Sequence, residues 1–290
     1  MNTIPSAPQI SDHFIDLPLT RLHYVKCGHG PPLIMVPATI SHLEHWTGLA
    51  QFMGTKFTTY FFELPGHGQS TPFPTNFSSE HVATTIEDFI DALGHSKITL
   101  MGFSFGGILA MKTLQHLGDR VERIVLFSPN VSRHALLFSP RRLWLLNKFN
   151  TFLNKPSIQE KFISLLHNPK SEQLMISFIK KIGRVEDNVP LKTSMHLLPA
   201  TTLDVLTYQI DEALNLEYPS IPKPYSQPLH FAMSVNDPLL DFTTTYNFLD
   251  TYFSDIHSIN LTFPYHQPPG HPTYEEIYAY YGKFIENLSA

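Results

Sequence analysis

Cysteine is nearly absent from this 290-residue chain. Cys27 stands alone, so no internal disulfide can form and a reduced, cytoplasmic setting is expected. The opening MNTIPSAPQI lacks a basic flank followed by an apolar run, so no targeting segment is expected. No uninterrupted apolar stretch reaches the ~18 residues a spanning helix requires, which excludes a membrane span. Charge is sparse at 16%, and the 20 basic side chains are outnumbered by 25 acidic ones. A net charge of -5 offers no excess with which to neutralise a phosphate backbone, so nucleic acid is not an expected partner. Internal repeats, low-complexity tracts and phosphate-cradling glycine loops are missing too. The sixteen histidines invite a metal, yet His42-Leu43-Glu44-His45 is not the H-E-x-x-H pattern and no other cluster has ligand spacing. No metal and no cofactor are expected.

What is present is a globular composition, 42% hydrophobic, on a chain long enough for one large core or a core with an insertion. Short β-prone runs come first, at His13–Leu17, Arg21–Lys26, Leu33–Val36 and Phe57–Leu64. Val82, Ile86, Phe89, Ile90 and Leu93 then recur at helical spacing, and Gly94 stops the helix. Lys97–Phe103 reads as a strand, Phe105–Leu117 as a helix and Val121–Phe127 as another strand. Strands alternating with helices imply crossovers, hence an α/β protein with a mostly parallel sheet covered on both faces.

After Pro129 the pattern changes to successive helices: Leu136–Leu153, Ser157–His167 with a capping-box sequence Ser157-Ile158-Gln159-Glu160, Ser171–Ile182 and Thr202–Leu216. Tyr218–Tyr225 carries three prolines and reads as a stiff connection. Leu229–Val235 and His257–Phe263 resume the sheet, with helices at Phe242–Phe253 and Tyr274–Leu288. The expected division is a core of residues 1–129 and 226–290, with residues 130–225 as a helical insertion.

Gly102-Phe103-Ser104-Phe105-Gly106 is G-x-S-x-G at a strand-to-helix junction. A chain reversing that sharply needs small residues two before and two after the serine, whose hydroxyl it holds up at the helix N-terminus. A hydroxyl needs a base to become a nucleophile, and the base needs an orienting acid, so a later carboxylate and histidine are expected. Asp237, in Asn236-Asp237-Pro238 after a strand, is the expected acid, ahead of Asp241 and Asp255. His271, in Pro269-Gly270-His271-Pro272, is the expected base, ahead of His266 and His257.

With these elements the chain resembles the α/β-hydrolase superfamily over nearly all its length except the inserted helices. Gly28-His29-Gly30-Pro31-Pro32-Leu33 is similar to the family's turn into its third strand. Glu63-Leu64-Pro65-Gly66-His67-Gly68-Gln69-Ser70 resembles its Asp-x-x-Gly-x-Gly-x-Ser loop, and Gly270-His271 followed by Glu275 or Glu276 resembles its C-terminal histidine motif. The resemblance implies a helical cap at the insertion. Two departures stand out. Glu63 replaces the shorter aspartate, and Pro37-Ala38 stand where the family has His-Gly. Proline has no N–H, so the second oxyanion donor falls to Thr39, or else Ala38, beside the N–H of Phe105.

The implied activity is cleavage of a carboxylic ester, through an acyl-enzyme on Ser104. Leu143, Trp144, Leu145 and Phe149 in the insertion suggest an apolar small-molecule acyl substrate, with Phe103, Ala38 and Trp144 as pocket candidates; plain helix packing is the alternative. Thioester cleavage, acyl transfer, carbon–carbon bond hydrolysis and a non-catalytic small-molecule binder are the rival readings of the same fold. Oligomeric state has no signature in the sequence.

Overall fold

The computed structural model describes residues 4–39, 42–168, 170–174, 176–177, 200–218, 223–268 and 271–288. Eight strands form one sheet in the order β1-β2-β4-β3-β5-β6-β7-β8. They are β1 (Ile10–Asp16), β2 (Arg21–Cys27), β3 (Pro32–Val36), β4 (Thr58–Phe62), β5 (Ile98–Phe103), β6 (Val121–Phe127), β7 (Leu229–Ser234) and β8 (Ile256–Leu261). β1 pairs antiparallel with β2, and β2 with β4; every other pairing is parallel. The α/β reading and the mostly parallel sheet are thus borne out.

Burial follows position in the sheet. Every residue of β5 and β7 is buried, as expected of central strands covered on both faces. Edge strand β1 leaves four of its seven residues exposed. Because side chains alternate across a strand, β3 sends Ile34 and Val36 into one hydrophobic cluster and Leu33 and Met35 into the other. The first cluster is closed by helices α2 (Ser79–Ala92) and α3 (Gly106–Leu117), and the second by α1 (Thr47–Met53). Fully buried aromatics such as Phe89 and Phe127 each contribute about 2–3 kcal/mol of burial free energy.

Between β6 and β7 run α4 (Pro140–Leu153), α5 (Pro156–Leu166) and α6 (Ala200–Asn215). Leu153, Phe162, Leu166 and Leu203 form a small cluster of their own there. The same helix also joins the main core through Val205, and Leu216 just beyond its end does the same. The helix expected over Ser171–Ile182 and the proline-rich Tyr218–Tyr225 lie partly outside the described residues. The capping box expected at Ser157 does not form. Pro156 occupies the start of α5, so Ser157 already sits inside its first turn and Lys155 precedes the helix without a side-chain cap.

After β7 come α7 (Phe242–Tyr252) and, after β8, α8 (Tyr274–Asn287), which packs on the α1 face. A capping box does open α8, where Thr273 Oγ1 accepts from the Glu276 N–H and Glu276 Oε2 from the Thr273 N–H. Among the described residues no helix is long and apolar enough to cross a membrane.

Candidate active site

The six parallel strands all end at one edge of the sheet, and the loops leaving them carry Thr39, Glu63, Ser104, Asp237 and His266. This is where an open parallel sheet leaves its crevice. Ser104 follows β5 directly and has φ +51, a left-handed conformation rare outside glycine. The strain is held by three backbone bonds: Ser104 N–H to the Phe127 carbonyl at 3.1 Å, and the Ser104 carbonyl accepting from Gly107 and Asn130, both at 2.9 Å. The flanking glycines are required sterically. A Cβ on Gly102 would lie 2.3 Å from the Gly106 carbonyl oxygen, and one on Gly106 would lie 2.6 and 2.8 Å from the carbonyl oxygens of Val36 and Pro37. The elbow is therefore pressed against the loop that leaves β3.

Asp237 lies in the turn after β7, with its carboxyl group sealed from solvent. One oxygen accepts from the N–H groups of Leu239 (2.8 Å) and Leu240 (3.0 Å). The other lies 2.8 Å from Nδ1 of His266, and His266 Nε2 lies 2.8 Å from Ser104 Oγ. Because the carboxylate only accepts, Nδ1 carries the ring hydrogen and Nε2 presents a lone pair to the serine hydroxyl. A hydroxyl, an imidazole and a carboxylate thus stand in hydrogen-bonded series, the order in which a nucleophile, a base and an orienting acid would be arranged.

The structure brings together two of the three residues expected for this series and corrects the third. His271 is exposed, and its ring lies 4.0 Å from that of His45. It is pinned there because the following chain packs on α1: a Cβ on Gly48 would be 2.3 Å from the Pro272 carbonyl oxygen. The Thr273 cap of α8 follows at once. His266, five residues earlier and closer to the end of β8, reaches the serine. Both histidines lie in the loop after β8, and His266 stands nearer the end of the strand. The competing acids have other work. Asp241 caps α7, taking the N–H and hydroxyl of Thr244 at 2.7 and 2.6 Å, bonds that hold its carboxyl below the usual range. Asp255 pairs with His257 at 3.1 Å on the surface.

Phe105 and Phe103 are buried on opposite faces of the sheet, Phe105 in the α2–α3 cluster and Phe103 under Trp46. The Phe103 ring also lies 5.8 Å from that of His266, so it backs that ring while filling core. The N–H of Phe105 opens α3, where the first amides have no acceptor within the helix. Ala38 is buried in the α1 cluster and Thr39 is half-buried. Trp144, expected at the pocket, is 60% exposed on α4 instead, because that helix turns Asn150 and Leu153 inward.

A group of histidines flanks the loop after β3. His42, His45 and His67 have ring separations of 5.6 Å (His42–His45) and 6.4 Å (His42–His67). Burial, and then neighbouring His271 and His42, push His45 down to about 4. His67 has no solvent exposure and is pushed down to about 3, first by burial and then by His42. Both rings are neutral near pH 7. Among the described residues, no three His, Cys, Asp or Glu side chains are arranged to hold a metal ion.

Comparison with known proteins agrees with this architecture. The profile described as alpha/beta hydrolase fold matches residues 31–178, just over half of the chain. An N-formylmaleamate deformylase from Pseudomonas putida is 32% identical over 125 residues, covering 42% of this chain and 47% of that protein. A soluble epoxide hydrolase from Corynebacterium sp. is 29% identical over 104 residues, 36% of each. The matched segments thus span between a third and a half of these relatives. Among solved structures, naproxen esterase from Bacillus subtilis superposes with TM-score 0.56 at 17% identity, covering 96% of this chain and 91% of that one.

Proposed function

Because this chain belongs to the α/β-hydrolase family, we propose that it is a serine hydrolase cleaving a carboxylic ester of a small molecule through Ser104, His266 and Asp237. The observation that carries the reading is His266 bonded at 2.8 Å to both the Ser104 hydroxyl and the Asp237 carboxylate. In this reading Ser104 Oγ attacks the ester carbonyl carbon while His266 Nε2 takes the hydroxyl proton. The carbonyl electron pair moves onto oxygen, facing the N–H groups of Phe105 and Thr39. Collapse of the tetrahedral adduct breaks the bond to the alcohol oxygen, which leaves with the proton from His266. Water then attacks the acyl-enzyme, giving its proton to His266, and the carboxylic acid departs as Ser104 regains its hydrogen. Asp237 stays ionised and holds the imidazolium.

In the same reading residues 1–129 and 226–290 are the catalytic core and residues 130–225 the cap. The separate cluster formed by α4, α5 and α6 supports that division. Thioester cleavage and acyl transfer would use the same residues, and product analysis with a competing alcohol separates them. A fluorophosphonate probe followed by mass spectrometry tests the nucleophile, alongside hydrolysis of p-nitrophenyl esters of graded chain length. An adduct confined to Ser104, with turnover lost in Ser104→Ala, is expected. Turnover retained by that variant, or a folded wild-type protein that no probe labels, would remove the proposal.

A further inference from the structure

Resting on the serine-hydrolase reading, we infer that Glu63 is a positioning residue for the second oxyanion donor, gripping the loop after β3 from the loop after β4. Thr39 is preceded in the loop after β3 by Pro37-Ala38, whose side chains carry no hydrogen-bonding group with which to hold it in place. Yet the loop is pressed on the elbow, since Gly106 abuts the Val36 and Pro37 carbonyls. A small rotation of its peptides would re-aim the Thr39 N–H.

Glu63 supplies the missing hold. Its carboxyl group is 6% exposed and spans the two loops. Oε1 accepts from the Leu43 N–H at 3.4 Å and lies 3.9 Å from His42 Nδ1, both just beyond the oxyanion segment. Oε2 accepts from the Gln69 N–H at 2.7 Å and meets His23 Nδ1 at 2.9 Å. The other nitrogen of His23 lies 2.8 Å from Asp12 Oδ1, so the ring is clamped between two carboxylates. The backbone of Glu63 is fixed as well: its N–H donates to the His23 carbonyl at 3.0 Å, and its carbonyl accepts from Ser70 Oγ at 2.8 Å.

The loop after β4 is wrapped around this carboxylate. Gly68 has φ +50, and a Cβ there would lie 2.0–2.2 Å from the Glu63 carboxyl atoms. An aspartate at 63 would withdraw the carboxylate from Leu43 by one methylene, so the longer side chain matches the reach this loop needs. His67, fully buried beside Thr39, fills the other side of the contact.

The test compares kcat for an ester and for its thionoester twin in wild type, Glu63→Gln and Glu63→Asp, with circular dichroism to verify folding. Sulfur is a weak hydrogen-bond acceptor and gains little from oxyanion donors, so the ester-to-thionoester ratio reports on donor placement. Glu63→Gln should lower ester kcat by up to about 100-fold, with KM within about threefold and the ratio falling by the same factor. Glu63→Asp should lower the ratio in the same direction with the charge kept. A residue that only supports the fold would lower both substrates equally, and an unchanged ratio in both folded variants overturns the inference. Equal turnover by Ser104→Ala would instead overturn the triad and this inference with it.

Discussion

Replacing His266 with alanine, and His271 with alanine in parallel, separates the two candidate bases. In His266→Ala the ring that bonds Ser104 Oγ and Asp237 Oδ2 at 2.8 Å each is gone. Loss of a triad base costs about 10⁴–10⁶ in turnover, or about 5–8 kcal/mol in barrier at 1.36 kcal/mol per factor of ten. The same substitution strands one oxygen of a carboxylate that has no solvent exposure. Leaving a buried polar group short of a hydrogen-bond partner costs about 1–3 kcal/mol. The two amides of Leu239 and Leu240 still hold the other oxygen, so the lower end is expected.

His271→Ala removes an exposed ring that touches His45, so stability should move by no more than about 0.5 kcal/mol and activity by less than about threefold. The assay is the second-order rate of fluorophosphonate labelling at pH 7, read by intact mass, with urea unfolding of each variant to verify that the folded state is being compared. A His271→Ala protein that fails to label while His266→Ala labels normally would refute the assignment of the base.

Other expectations follow from the same geometry. His67 is held at about 3 when folded, against an ordinary value of 6.5, so the unfolded chain binds more protons below pH 6.5. Its contribution is therefore full above pH 6.5 and lost as pH falls, by about 2 kcal/mol between pH 7 and pH 5. His67→Gln should flatten that part of the urea-stability profile, and an unaltered slope would count against the buried neutral ring. Gly106→Ala should cost about 1–3 kcal/mol and slow Ser104 labelling, because the backbone carbonyls its methyl meets cannot yield; wild-type values in both assays would contradict the packing of the elbow. Glu212 on α6 accepts from buried Ser79 Oγ, and burial raises its carboxyl above the ordinary glutamate range. Its proton favours the folded state, so wild-type stability falls as pH rises from the ordinary glutamate value through the raised one. The Tm of Glu212→Gln should gain on wild type over that window, and a constant difference would contradict it.

Much of the architecture was legible because it is written in short-range pattern. Largely apolar runs marked β5 and β7, helical spacing marked α2, and glycines two residues either side of Ser104 marked a turn too tight for larger side chains. Asp237 was legible for the same reason, lying directly after a buried strand. Helix α1 went unseen in the sequence: it is short, Thr47–Met53, and its apolar residues also serve a β-rich reading. The antiparallel pairing of β1 with β2 and of β2 with β4 depends on neighbours that local pattern does not name.

Which histidine meets the serine was decided in three dimensions. His266 and Ser104 are 162 positions apart, and their meeting depends on where β8 ends and on how tightly the segment before α8 is drawn onto α1. Local sequence around His266 and His271 is equally suited to a loop base. The joining of Glu63 to Leu43 and His23, and the outward turn of Trp144, are likewise products of packing between distant segments. The sequence alone determined the strands, the elbow and the supply of chemical groups, since these follow from backbone sterics and hydrophobic periodicity. Only the tertiary structure decided which of those groups stand within hydrogen-bond reach, because that distance is set by the whole sheet and the helices that close it.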